Sequence, residues 1–258
     1  MRYGIDGRYI QDHFPGIGRY TYNLVVGLAR LYPQDAFVLF HDPAADNTRY
    51  DVNAIGEFPN VALVPVSAGV FSLGQQVALP RLARRYRLGL YHSPYYVIPY
   101  AMPCPVVATI HDMIPWLYPE MLPRPYFGVL FSLLVRLTLW RAAYVLVGSE
   151  ATRQDLLGIM RGRPERTVAV SYAVDDAFRA CAAEEVASAK QRFGLDKPYA
   201  LYLGINKPHK NLVRLVEAWV GLPSAVRAGN ALVLAGREDP RYPEVRERVK
   251  ALGIALEV

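Results

Sequence analysis

Three clusters of residues in this chain have the types and spacing needed to handle a phosphorylated, hydroxyl-rich ligand. The first is Lys207, His209 and Lys210, set between an apolar run and a helical pattern at 211–220. The opening N–H groups of a helix lack internal partners and its dipole is positive there, so two ammonium groups beside that end make a grip for a diphosphate. The competing reading is a solvated lysine loop with Asn211 as N-cap. The second cluster is His111-Asp112, directly after the apolar run 105–110. An imidazole at the end of a parallel strand sits where open α/β sheets take ligands, and it can donate to a sugar hydroxyl or accept from one. Against this, His111 could cap strand-end carbonyls while Asp112 starts a turn ahead of Pro115. The third cluster is Gly16-Ile17-Gly18-Arg19, opening the first helical pattern. Glycine lets backbone approach a ligand closely and a helix start favours an anion, although the same glycines could simply permit a turn. No metal site is expected. No second His or carboxylate recurs at ligand spacing, and Cys104 and Cys181 are isolated from each other and from further thiols.

These residues need strands to end where they begin. Short apolar runs at 2–6, 36–41, 61–66, 88–93, 105–112, 144–149 and 167–173 alternate with helical patterns, including 18–31, 75–86 and 150–160. Ile17, Tyr20, Leu24, Leu28 and Leu31 fall on one helical face, and Ser149 ahead of Glu150 reads as an N-cap. Such alternation predicts a parallel sheet wrapped by helices. A first domain is therefore expected over 1–178, a polar, alanine-rich linker over 179–197, and a second domain from 198. The second is read as strands at 199–204, 231–236 and 254–258 with helices at 211–220 and 242–252, too few strands for a complete doubly wound sheet.

The chain has 258 residues, 52% of them hydrophobic, and a net charge of +6. It can bury a sizeable core, and its amino terminus has no apolar stretch of signal-peptide length. A cytoplasmic protein, with contact to the cytoplasmic face of a membrane, is the expectation. Between residues 58 and 111 there is no acid, while Arg81, Arg84, Arg85 and Arg87 crowd one segment. With Tyr95, Tyr96, Tyr100 and Trp116 these arginines could dock on an anionic membrane, or the rings could stack on sugars. Residues 126–147 are long enough to span a bilayer, but Arg136 and Arg141 interrupt them. They are read as a helix ending near Ala143 followed by a buried strand. No nucleic-acid recognition motif accompanies the positive charge.

In this order, residues 16–20 (GIGRY), 111–120 (HDMIPWLYPE), 147–156 (VGSEATRQDL), 202–219 (YLGINKPHKNLVRLVEAW) and 232–236 (LVLAG) resemble the retaining glycosyltransferases of family 4. The resemblance implies an α/β chain of GT-B type: a complete N-terminal Rossmann-like domain with a parallel sheet, plus an incomplete second one. It implies a nucleotide-sugar donor as co-substrate, a glycan or lipid-linked acceptor, and no required metal or other cofactor, with mannose one candidate for the transferred sugar. Carried onto this sequence, His111 faces the transferred sugar. Gly16, Ile17, Gly18, Lys207, His209 and Lys210 serve the donor, and Arg19, Asp112 and Trp116 lie on the acceptor side. His209 stands where the family often has Arg. The family's later glycine-rich loop and paired glutamates do not occur within residues 1–258, so the chain alone is expected not to turn over. A non-catalytic sugar-nucleotide or glycan binder of the same fold is the alternative.

Overall fold

A computed structural model describes residues 1–122, 124, 126–174 and 177–255. The chain divides into two compact units, Met1–Asp175 and Asp176–Val258. The first runs β1 (Arg2–Asp6), a 3₁₀ turn (Gly7–Tyr9), α1 (Pro15–Leu31), β2 (Ala36–His41), α2 (Val52–Gly56), β3 (Val61–Pro65), α3 (Gln75–Arg85) and β4 (Leu90–Ser93). It continues with β5 (Val106–Ile110), α4 (Ile114–Leu117), α5 (Tyr126–Arg141), β6 (Tyr144–Val147), α6 (Glu150–Met160) and β7 (Thr167–Ala169).

Among the described residues these strands form one seven-stranded parallel sheet in the order β3-β2-β1-β4-β5-β6-β7. Chain order reverses between β1 and β4, which is the switch point where open sheets of this kind leave a crevice. Side-chain alternation sorts the two faces. Phe37 and Leu39 of β2 join Val25 and Ala29 of α1 and Ile55 of α2, whereas Val38 and Phe40 join Leu79 of α3, Val135 of α5 and Leu156 of α6. One buried ion pair fixes the end of β1: Arg8 makes a two-pronged contact with Asp6 (2.8 and 2.6 Å) and donates to the Ala68 carbonyl and to Gln75. Tyr91 donates to the same carboxylate at 2.8 Å.

In the first unit two helix boundaries differ by more than one residue from the sequence reading. Helix α1 starts at Pro15 rather than at 18, because proline at the first turn is preorganised for a helix. The glycine pair is thus part of the helix's first turn rather than a loop before it. Helix α5 stops at Arg141, whose guanidinium donates to the Tyr100 and Met102 carbonyls at 2.8 and 2.7 Å. Among the described residues no helix is long and apolar enough to cross a membrane.

The second unit contains α7 (Ala183–Phe193), β8 (Tyr199–Leu203), α8 (Leu212–Val220), α9 (Ser224–Gly229), β9 (Ala231–Ala235) and α10 (Glu244–Ala251). Helix α7 occupies much of the stretch read as a linker. Strands β8 and β9 pair in parallel, and Val216, Trp219, Leu232 and Ile254 form the core beneath them. The third strand expected over 254–258 is not formed at Ile254 and Ala255, and residues 256–258 lie outside the described residues.

Candidate functional site

At the carboxyl ends of β4 and β5, His111 has both ring nitrogens engaged. Nε2 lies 2.8 Å from the Pro94 carbonyl and Nδ1 lies 2.6 Å from the Tyr172 hydroxyl. A carbonyl only accepts, so the proton of the neutral ring sits on Nε2 and Tyr172 donates to Nδ1. Burial pushes the His111 pKa down, which keeps the ring neutral near neutral pH. Around it stand Tyr20 from α1, with ring centroids 5.2 Å from His111 and 5.5 Å from Tyr172. The Tyr20 hydroxyl meets Thr109 Oγ1 at 3.1 Å, and that oxygen also meets His92 Nε2 at 2.8 Å. Desolvation lowers His92 to about 4, with the nearby His111 adding to the effect. The Tyr172 phenol is raised to about 12, chiefly by desolvation, so it stays a hydrogen-bond donor.

Of this group only His111 stands among the sequence-derived candidates. Tyr20 and Gly148 fall inside quoted motifs without being singled out. Gly148 is where Tyr172 finds its space: a Cβ there would stand 2.3 Å from the Tyr172 Cζ. His92, within the apolar run 88–93, is a buried strand residue. Tyr172 is 61 residues from His111 and carries no local signal.

The other first-unit candidates separate in role. Gly18 is buried, and a Cβ there would approach the Tyr9 carbonyl at 3.0 Å, whereas a Cβ on Gly16 would meet nothing within 4 Å. Gly16 therefore offers open backbone at the helix start and Gly18 serves the packing of α1 on the 3₁₀ turn; Ile17 between them is half-buried. Arg19 donates to the Tyr50 hydroxyl at 3.1 Å. Asp112 is exposed and its carboxylate accepts from the Ile114 N–H at 3.0 Å, which is the turn-starting role. Trp116 is 41% exposed on α4.

In the second unit, Lys207 precedes a 3₁₀ turn, Pro208–Lys210, and α8 follows after Asn211. Asn211 adopts a left-handed backbone (φ 57°) and its side chain makes no cap bond, so the first turn of α8 keeps its N–H groups for another acceptor. Lys210 is exposed, and Lys207 and His209 are half-buried. Asn206 anchors the loop, donating to the carbonyls of Asp239 (3.1 Å) and Tyr242 (2.7 Å) and accepting from the Asp239 N–H (2.6 Å). Arg241, through its hydrogen bonds, holds the Asp239 carboxyl down at about 2. The ends of β8 and β9 meet at glycines: Gly236 has φ 138°, and a Cβ there would lie 2.1 Å from the Gly204 carbonyl oxygen. A cavity of about 670 Å³ opens beside them, lined by Gly204, Asn206, Arg237, Arg246 and Lys250 among others; Lys207, His209 and Lys210 do not line it.

The family profile described as Glycosyltransferase Family 4 matches residues 15–178, more than half of the chain and inclusive of α1, His111 and Tyr172. The chain belongs to this family. It is 26% identical over 232 residues to O-antigen chain mannosyltransferase B of Escherichia coli, covering 86% of this chain and 60% of that protein. The serotype-specific mannosyltransferase WbdA of Escherichia coli is 27% identical over 146 residues, 55% of this chain and 18% of the relative. This family 4 chain thus spans about 60% of the length of the first of these relatives. Among solved structures, Anabaena Alr3699/HepE in complex with UDP-glucose superposes with a TM-score of 0.68 at 18% identity, over 100% of this chain and 68% of that one. WaaG, a glycosyltransferase involved in lipopolysaccharide biosynthesis, gives 0.62 at 12% identity, over 100% and 69%. The fold is of GT-B type, with a complete Rossmann-like first unit and part of a second.

Proposed function

We propose that this family 4 chain supplies the acceptor-side unit and part of the donor-side unit of a retaining, metal-independent glycosyltransferase. The enzyme would move a sugar, mannose first among those to test, from a nucleotide-sugar donor to a glycan or lipid-linked acceptor of a cell-envelope or exopolysaccharide polymer. The observation that carries the reading is the Lys207–Lys210 turn feeding the uncapped start of α8. Two cations and a positive helix end oppose the charge that develops on a departing diphosphate, which is the largest electrostatic demand of the transfer. Two of the relatives are named as mannosyltransferases, and one similar structure holds UDP-glucose; both support the reading.

His111 then contributes as a neutral ring. Its Nε2–H is committed to Pro94, so the position open to exchange is Nδ1, where an acceptor or donor hydroxyl would take the place of Tyr172. The acceptor proton leaves with the diphosphate on the same face of the sugar, and the anomeric configuration is kept. His209 stands beside the grip without guanidinium geometry and contributes less to it than an arginine would. The protein is read as peripheral, touching an anionic membrane surface, and nucleic acid is not among its partners. Residues 1–258 alone bind without turnover, because the glutamate pair that would hold the sugar and ribose is not among them.

The test is transfer from a panel of nucleotide sugars, GDP-mannose and UDP-glucose included, with and without EDTA, by the protein that contains this chain. The expected result is a product of retained anomeric configuration formed equally in both conditions and lost in Lys210→Met. Ordinary enzyme rates from residues 1–258 alone, or inverted product, would refute the proposal.

A further inference from the structure

Residues 42–51, between β2 and α2, form no helix or strand, yet the segment is cross-linked by its own side chains. Asn47 donates to the Tyr50 carbonyl (2.7 Å) and accepts from the Arg49 and Tyr50 N–H groups (3.2 and 3.1 Å). Asp12 clasps the segment from outside, accepting from the Thr48 hydroxyl (2.8 Å) and pairing with Arg49 (3.5 Å). Tyr50 packs against Tyr22 of α1 with ring centroids 5.0 Å apart. Such a frame lowers the ordering cost of binding for the groups it presents.

The segment borders a cavity of about 580 Å³ at the carboxyl end of β2. Gly7, Ile10 and Val52 supply apolar lining, and His41, Asp42, Asp51 and Asn53 supply polar lining. Asp42 uses a carboxylate oxygen for the Ala44 N–H (3.0 Å), and Asp51 uses one to cap α2 through the Asn53 N–H (2.9 Å). Among the described residues the second oxygen of each carboxylate, the His41 ring and the Asn53 side-chain amide have no hydrogen-bond partner. Tyr50, also in the lining, accepts from Arg19 and keeps its own phenolic hydrogen to donate.

These groups select the ligand. Two unspent carboxylate oxygens repel an anion, and Arg49 is taken up by Asp12. No cluster of three His, Cys, Asp or Glu that could hold a metal ion occurs among the described residues. Burial lowers the His41 pKa, so its ring is neutral near neutral pH. A neutral ligand with several hydroxyls and a partly apolar ring face matches this lining: the carboxylates accept from hydroxyls, the phenol donates, and the amide and imidazole can do either.

Its position relates the cavity to the His111 site. Strand β2 lies three strands from β5 in the sheet, roughly 14 Å at ordinary strand spacing. The start of α1 touches both places, Arg19 at the Tyr50 hydroxyl (3.1 Å) and Tyr20 at the His111 ring (5.2 Å). One sugar ring is shorter than that separation, and an oligosaccharide spans it. We propose that this cavity is a second saccharide site, holding an inner sugar unit of an oligosaccharide acceptor whose end lies at His111. Its place on the acceptor rests on the sugar-transfer reading above; its capacity to bind a sugar does not.

The test is titration of residues 1–258, without donor, with mannotriose, maltotriose and inorganic phosphate in ¹H–¹⁵N spectra. The trisaccharides are expected to shift the amides of residues 42–53 saturably, and phosphate is not. Asp42→Asn, which keeps an oxygen for the Ala44 N–H, and Asn53→Leu, at an exposed position, should each weaken trisaccharide binding about tenfold with the rest of the spectrum in place. In the protein that contains this chain, Asn53→Leu should raise the KM of a trisaccharide acceptor more than that of a monosaccharide. Absence of trisaccharide shifts in this segment, equal binding by the variants, or a preference for phosphate would overturn the site. An unchanged ratio of the two KM values would remove it from the acceptor path. Saccharide binding here without transfer from any nucleotide sugar would sink the transfer reading and leave the site standing.

Discussion

His111 is held between the Pro94 carbonyl and the Tyr172 hydroxyl, and that arrangement governs how a ligand must approach it. Gly148→Ala is expected to expel the Tyr172 ring, because its Cβ would fall at 2.3 Å from Cζ. The His111 imidazole resonances in ¹H–¹⁵N spectra should then lose the hydrogen-bonded Nδ1 signature, as in Tyr172→Phe; unchanged resonances would place Tyr172 elsewhere. The two glycines of α1 should respond in opposite ways. Gly18→Ala presses on the Tyr9 carbonyl and costs about 1–3 kcal/mol in urea unfolding. Gly16→Ala meets open space and changes stability by no more than about 1 kcal/mol, in the stabilising direction. His92 gives a pH dependence. Its folded pKa of about 4 lies below the unfolded value, so its contribution is complete above about pH 6.5 and is lost as pH falls toward 4. The loss is on the order of 3 kcal/mol, and His92→Gln should flatten the urea-midpoint profile over that window. His111 was legible because a His after an apolar run announces itself. Tyr172 was not, since a hydrogen bond across 61 residues leaves no trace in local spacing.

At the level of elements, period and punctuation located the principal strands and helices, and the misses have physical reasons. Helix α6 begins at the anticipated residue because Ser149 accepts from the Thr152 N–H at 3.1 Å, and it ends at Met160, where Arg161 turns left-handed (φ 55°). Ser149→Ala should cost about 1 kcal/mol, read by the same unfolding measurement. Helices α2, α4 and α9 are too short for a periodic signal to accumulate. Helix α7 went unread because its alanine-rich sequence buries none of its residues, and Gly194 in a left-handed conformation (φ 63°) ends it. Helix α5, read from the sequence as a helix ending near Ala143, is apolar on both of its sides, the feature that sets it apart on the surface.

On the scale of the whole molecule, each unit has its own core, and the family match falls on the first while the lysine turn lies in the second. The GT-B architecture was legible from the βα alternation and motif order. The division of labour among Gly16, Gly18, His92, Thr109 and Tyr172 needed coordinates, because it depends on which backbone lies a few ångströms away. The central claim is that the turn ahead of α8 grips the diphosphate of a sugar nucleotide. Calorimetric titration of a nucleoside diphosphate into the protein containing this chain, wild type against Lys210→Met, tests it directly. With one charge-assisted contact of roughly 1.5–3 kcal/mol removed, affinity should fall between about tenfold and a hundredfold at unchanged melting temperature. Equal affinity in the two proteins would contradict the account.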